Sequence, residues 1–396
     1  MKRRVIFIAD GSIKNPILHS QGLPLYGALA ARGYGCSFVT FETRLNENAY
    51  KRLVSELVKK HGNIGFKRIA IRQKWPVPSG AENVLKALFW IVAKCYRGKL
   101  HIIHARSLVP GIVALWAKVC SFNRLKVIYD KRGVLIEEEI LKGNWDEGSM
   151  KVRLLYLIEW LLLKYSDQIV TVSYAFKEHL LTTYELVGLK SKIHVVPNGT
   201  KLSEGEKSTS EMKHLVSKVT CVYSGSAAPW QKIDDVLIIF SIAESIFRNI
   251  SFKIFTYQKE IVLDKMSAHP KVWPKLEMSD LPPHEVRQEL AKCSFGLLIR
   301  ERNLINRVAS PLKFAEYLAA GIPVLISEGI GDTEQVVRKY NIGVIIKNGN
   351  YAKALVEMKK LLTDPSVYSR CRTAASSELN VQDGINGYVS IYQKLR

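Results

Sequence analysis

Short apolar runs alternate with longer stretches of helical spacing along nearly the whole chain. Residues 5–9, 35–41, 68–71, 102–104, 126–129, 168–172 and 192–196 read as strands. Between them, residues 23–32, 47–61, 84–96, 111–121 and 151–165 carry apolar side chains at helical periodicity. Strands that are apolar without alternation are buried on both faces, which predicts a parallel sheet covered by helices on each side. Residues 198–217 break the rhythm with Gly, Lys, Ser and Glu and almost no large apolar residue. The alternation then resumes at 219–224, 233–246, 251–256, 272–273, 283–292, 295–299, 311–320, 323–326, 333–340 and 343–346. The tail, 381–395, is amphipathic, with Ile385, Tyr388, Ile391 and Tyr392 near helical spacing.

This pattern predicts an α/β protein of two Rossmann-like domains. The first spans 1–200, a linker 201–217, and the second 218–379, with the terminal helix 380–396 packing back on the first. A length of 396 residues agrees with two domains. In doubly wound sheets ligands sit beyond the carboxyl ends of the strands, so the loops after each strand are where chemistry is expected.

Composition adds two constraints. Hydrophobic residues at 47% and charged residues at 24% are ordinary for a globular chain and exclude wholesale disorder. The charge of +22 is unevenly spread: residues 1–200 hold 31 basic and 15 acidic side chains, residues 201–396 hold 27 and 21. A basic first half points to an anionic partner. The six cysteines, at 36, 95, 120, 221, 293 and 371, form no CxxC pair and read as free thiols of a reducing compartment. Met1-Lys2-Arg3-Arg4 before an apolar run imitates a signal peptide, but the run stops at Asp10, so a first strand is the better reading. No uncharged apolar stretch reaches 18 residues, which excludes a spanning helix.

Several loops carry candidate chemistry. In RERNLINRVASPLKFAEYLAAGIPVLI (300–326), Ser310 suits an N-cap and Pro311 a first helical residue, so the helix start offers free N–H groups to a phosphate. Lys313 adds a charge in the first turn, and Glu316 follows near the same face, where its carboxylate would accept from ribose hydroxyls. By spacing alone this equals a capped helix with a solvated Lys and Glu. Ser224, Gly225 and Lys232 follow the strand at 219–224, and Arg300 follows the strand at 295–299. His104 and Arg106 close another strand, Asp130 and Arg132 the next, with Glu137-Glu138-Glu139 behind them. His104 as a core histidine, Lys232 as a surface lysine and Asp130–Arg132 as a structural pair are the plain alternatives. Glu138 is the member singled out from a mostly solvated acidic triplet. The loop Asp10-Gly11-Ser12 lacks GxGxxG, so a dinucleotide fingerprint is not supported.

The stretch SPLKFAEYLAAGIPVL resembles the donor-site signature of bacterial glycosyltransferase family 4. The resemblance covers most of the chain. It implies the GT-B fold, two Rossmann-like domains facing each other across a cleft, with the acceptor on the first and a nucleotide sugar on the second. It implies that Glu316, with Pro311, Ser224 and Gly225, holds the nucleotide. Glu316 matches the second residue of the family's Glu-x7-Glu pair, while Val308 stands where the first is expected. Lys232 matches the lysine that clamps the donor diphosphate. Ser226 stands where an arginine is usual, and Arg300 is the candidate replacement. Ser310, Lys313 and Gly11 join the diphosphate set. His104-Ala105-Arg106-Ser107 and the Asp130–Gly133 loop resemble the acceptor side of polysaccharide enzymes; this makes His104, Asp130 and Arg132 the catalytic candidates and Arg106 and Glu138 acceptor contacts.

The resemblance further implies transfer with retention from a UDP- or GDP-linked sugar, with no metal or other cofactor. The acceptor is expected to be lipid-linked or a growing surface polysaccharide such as lipopolysaccharide, capsule or exopolysaccharide. That places the chain in the cytoplasm, peripheral on the inner face of the plasma membrane. Lys59, Lys60, Lys67 and Arg68, together with the Trp- and Phe-bearing helix at 84–96, would meet the anionic lipid. The two departures from the pattern read as a variant of the site; a non-catalytic partner subunit is the alternative they motivate. A nucleic-acid-binding protein explains only the charge, since no basic recognition helix or stacking platform stands out, and no nucleic-acid partner is expected.

Overall fold

The computed structural model describes residues 3–9, 12–14, 18–42, 46–62, 64–70, 77–185, 187–201 and 218–395. Gly11 and all but the first residue of the expected linker lie outside them. The chain divides into two compact units. One takes in the chain to Val172, Lys177–Val196 and everything from Ile385 onward; the other takes in Ser173–Phe176 and Pro197–Gly384.

The first unit is a parallel sheet of seven strands in the order β3-β2-β1-β4-β5-β6-β7. These are β1 (Arg4–Ala9), β2 (Gly35–Glu42), β3 (Gly65–Ala70), β4 (Ile102–Arg106), β5 (Lys126–Asp130), β6 (Gln168–Thr171) and β7 (Ile193–Val195). Helices α1 (Leu23–Ala31), α2 (Glu47–His61), α3 (Val77–Tyr96), α4 (Leu108–Cys120), α5 (Leu135–Leu141), α6 (Met150–Tyr165) and α7 (Tyr174–Thr183) intervene. The strands are apolar because both sheet faces are covered: Ile6, Ile8 and Ile103 belong to one core and Phe7, Ile102 and Ile128 to the other. Asn46 caps α2 by accepting from the Ala49 N–H at 2.8 Å, and Gly62 ends it at φ 88°. The terminal helix, Val381–Lys394, buries Ile385, Tyr388, Ile391 and Tyr392 in the core that holds Phe7 and Tyr26.

The second unit is a parallel sheet of six strands, ordered β10-β9-β8-β11-β12-β13. They are β8 (Val219–Ser224), β9 (Ile250–Phe255), β10 (Leu276–Ser279), β11 (Phe295–Leu298), β12 (Val324–Ser327) and β13 (Gly343–Ile346). The order reverses between β8 and β11, which opens a crevice beyond their carboxyl ends. The strand expected at 272–273 is instead a 3-10 turn, Trp273–Lys275, where Pro274 withdraws an N–H from any ladder; the strand begins at Leu276. The third strand starts three residues earlier than its apolar run, because the polar Lys67 and Arg68 lie between a half-buried Phe66 and a buried Ile69 on the edge of the sheet.

Candidate functional site

In the first unit, β4 and β5 pair so that Arg106 lies opposite Asp130 at their carboxyl ends. Asp130 is 1% exposed and is the hub of a polar cluster. Its Oδ1 lies 2.9 Å from Arg132 Nε; its Oδ2 accepts from the Tyr388 hydroxyl at 2.9 Å and lies 3.3 Å from His104 Nε2 and 3.9 Å from Arg106. Burial alone would raise the carboxyl, but Arg132, His104 and Arg106 hold it well below the usual range. An ionised carboxylate only accepts, so Nε2 carries the imidazole proton. Nδ1 then accepts from the Tyr392 hydroxyl at 2.7 Å, and Tyr392 meets Tyr26 at 3.1 Å. Burial lowers the pKa of His104, which favours the neutral ring. Arg132 is anchored again by Val196 O at 3.1 Å and by the Tyr388 hydroxyl.

His104 and Asp130, two of the expected catalytic candidates, are buried at 0% and 1% exposure. The reachable groups are Arg106 and Arg132, each 13% exposed, and two guanidiniums around one carboxylate leave a surplus positive charge there. Nor is the acidic triplet a solvated face. Glu137 accepts from Tyr156, Glu139 from Lys142 and Asn144, and Glu138 is half-buried, its pKa pushed up by that burial. The neighbouring Lys131 forms a buried ion pair with Glu159.

In the second unit most of the expected donor residues lie in the segments that follow β8 and β11. Ser224 closes β8, and its N–H donates to the Tyr317 hydroxyl at 2.8 Å, which itself donates to Leu297 O on β11 at 3.2 Å. Gly296 makes room for this: a Cβ there would stand 2.8 Å from the Tyr317 ring. Arg300 follows β11. Its Nη1 donates to Asn306 Oδ1 at 3.2 Å, its buried Nε has no hydrogen-bond partner, and it makes no ion pair among the described residues. Burial pulls its pKa down to about 10, opposed by Tyr223 and Tyr317. Asn306, 0% exposed, is fixed by donating to Glu301 O at 2.8 Å and Trp230 O at 3.3 Å, which ties the loop after β8 to the loop after β11. A buried guanidinium without a counter-ion is costly, and an anion beside it offsets that cost.

The helix Leu312–Ala319 follows in the chain. Ser310 was expected to cap it; Pro311 occupies the N-cap position instead and supplies no side-chain acceptor. The Ser310 hydroxyl is turned away, accepting the Asn198 N–H at 3.0 Å. The first-turn N–H groups are thus left uncapped by any side chain. Lys313 Nζ lies 2.8 Å from Glu316 Oε2, off the line of a hydrogen bond, and Oε2 is buried without a hydrogen-bond partner. Gly225 donates its N–H to Phe255 O at 3.0 Å. Lys232 behaves differently. It is 41% exposed, left-handed at φ 44°, and ion-paired with Asp235.

The basic cluster of the first unit is also divided. Arg68 pairs with Glu47 at 2.5 Å and lies over Tyr50, and Lys67 lies over Trp90. Lys59 and Lys60 are exposed in the last turn of α2, where they complement its dipole. Sequence reading missed Tyr388 and Tyr392 as partners of His104 and Asp130, and Asn306 as partner of Arg300. Polar-tipped aromatics one turn apart on an apolar helix face were the available signal for the first pair; Asn306 gave none.

The model of glycosyltransferase family 4 matches residues 23–204, and that of the glucosyltransferase 3-like C-terminal domain matches 249–370. No curated protein matches the chain. Among solved structures, a glycosyltransferase from Rickettsia africae is similar with a TM-score of 0.71 at 13% identity, over 100% of this chain and 98% of that one. Anabaena Alr3699/HepE, solved with UDP and glucose, gives 0.67 at 12% over 98% and 99%. The lipopolysaccharide outer core galactosyltransferase WaaB gives 0.66 at 11% over 99% of each. At these identities the likeness to the structures is one of fold, and that fold is GT-B.

Proposed function

We propose that this chain, a GT-B glycosyltransferase resembling family 4, moves a sugar with retention from a UDP- or GDP-linked donor to a lipid-linked or growing surface-glycan acceptor at the inner membrane face. The observation that carries the donor half is Arg300, a buried guanidinium at the β8/β11 crevice with no ion-pair partner among the described residues. The same segment supplies a helix start uncapped by any side chain and a buried carboxylate, Glu316, whose Oε2 faces Lys313 at 2.8 Å. As the glycosidic bond breaks, negative charge gathers on the departing diphosphate. A fixed cation and helix N–H groups stabilise it without reorganising and without a metal. Glu316 accepts from the ribose hydroxyls, which orients the nucleotide. Arg106 and Arg132, held by Asp130 and His104, serve as the cationic groups of the acceptor unit.

A panel of UDP- and GDP-sugars with NMR readout of the product's anomeric configuration tests this. Consumption of one donor with its configuration kept is expected; inversion overturns the retaining claim. If no donor in the panel is consumed or hydrolysed, the chain is a non-catalytic partner subunit, a reading that Val308 and Ser226 favour by standing where the family pattern has Glu and Arg. Glu316→Ala is expected to cut transfer about a hundredfold or more with the fold intact by circular dichroism. Lys232→Ala should cost less, about tenfold, because its ammonium is half-exposed and already paired with Asp235. Full activity in both variants contradicts the donor assignment.

A further inference from the structure

Helices α3, α4 and α6 lie side by side over one face of the first sheet. Tyr96 at the end of α3 donates to Cys120 O at the end of α4 at 3.1 Å, and Lys118 of α4 donates to Tyr165 O of α6 at 2.9 Å. Each helix turns an apolar stripe away from the sheet as well as one toward it. On α3 the outward stripe includes Leu85 and Phe89, 57% and 79% exposed. On α4 it includes Trp116 and Val119, 58% and 65%, and continues to Phe122 in the following turn at 82%. On α6 it includes Leu154 and Leu157, 55% and 52%. Among the described residues, eleven of the nineteen exposed large apolar side chains sit on these three helices and that turn, so they form one surface.

The charge on this surface is predominantly positive. Lys86, Arg97, Lys99 and Arg124 are exposed on or beside α3 and α4, and residues 85–126 contain no Asp or Glu; Lys118 and Lys126 share Asp167. On α6, Lys151, Arg153 and Lys164 are exposed, and the helix's one acid, Glu159, is buried against Lys131. Lys164 lies over the Trp160 ring at 4.4 Å and Lys151 over Trp145 at 4.1 Å, so the ammonium groups are held beside apolar tips. By contrast, the α2–β3 cluster has exposed Lys59 and Lys60 but no exposed large apolar residue, and its Arg68 is paired with Glu47.

We infer that the outward face of α3, α4 and α6 is where the first unit docks on an anionic lipid surface. Aromatic and aliphatic tips enter the headgroup boundary while the surrounding lysines and arginines meet lipid phosphates. The face follows from exposure and charge; the lipid as its occupant rests on charge complementarity together with the lipid-linked acceptor proposed above. Flotation of the full chain with phosphatidylcholine vesicles, with and without phosphatidylglycerol, tests it. Binding is expected only with the anionic lipid and falls with salt. Trp116→Ser, Phe122→Ser and Leu157→Ser combined should weaken binding at least about tenfold, as should Lys86→Gln, Lys99→Gln and Lys151→Gln combined, while Lys59→Gln with Lys60→Gln leaves it within about twofold. Wild-type-like flotation of both combined variants overturns the inference. So does a wild-type dimer that the first combined variant dissociates, since a second copy then covers the face. Nucleotide binding in lipid-free solution is read on the same proteins, so loss of vesicle docking and loss of the donor reading are separate results.

Discussion

Arg300→Met abolishes transfer without lowering the melting temperature. The guanidinium is buried, its pKa is drawn down to about 10 by that burial, and among the described residues no carboxylate answers its charge. Removing a preorganised donor of this kind costs about a hundred- to a thousandfold in turnover. The folding term has the opposite sign: a thioether of similar reach relieves the desolvation of an unpaired charge. Against that gain, Asn306 Oδ1 loses its donor, a cost of about 1–3 kcal/mol, so stability is expected to hold or rise rather than fall. A structural arginine behaves the other way, losing stability first and activity as a consequence. Calorimetry paired with a donor-consumption assay separates the two.

Asp130→Ala destabilises the first unit by about 3–5 kcal/mol, because it strands Arg106 and Arg132 and removes the acceptor of Tyr388 and His104. For a unit of this size that is roughly a 10 °C fall in melting temperature. Asp130→Asn keeps the shape and loses the charge, and is the better probe of pH. The folded pKa of Asp130 is depressed, so its contribution is complete above the ordinary carboxylate value of 3.8 and is lost as pH falls below it. The stability gap between wild type and Asp130→Asn is therefore expected to be flat near neutrality and to shrink below about pH 4. A gap that does not change with pH contradicts an ionised Asp130.

Much of the fold was legible because apolar runs announce parallel strands: the ranges read at 219–224 and 343–346 are those of β8 and β13. Helices such as Tyr351–Leu361 and Val367–Glu378 were passed over; the latter mixes Ser, Arg, Thr and Ala and buries only a narrow stripe. At the site, residue types and strand-end positions were legible, and orientation was not. Ser310 has the composition of an N-cap, but Asn198, more than a hundred residues away, takes its hydroxyl. His104 and Asp130 have the chemistry of a catalytic pair, but two tyrosines from the C-terminal helix cover them. Long-range partners decide such outcomes, and local spacing carries no record of them.

The central claim is that the β8/β11 crevice binds the diphosphate of a nucleotide through Arg300. Isothermal titration of UDP and GDP into the full-length wild type and Arg300→Met measures it directly. Saturable binding of one nucleotide to the wild type, weakened about a hundredfold or more in Arg300→Met, is the predicted result. Binding of neither nucleotide by the folded wild type, or equal binding by both proteins, contradicts the claim.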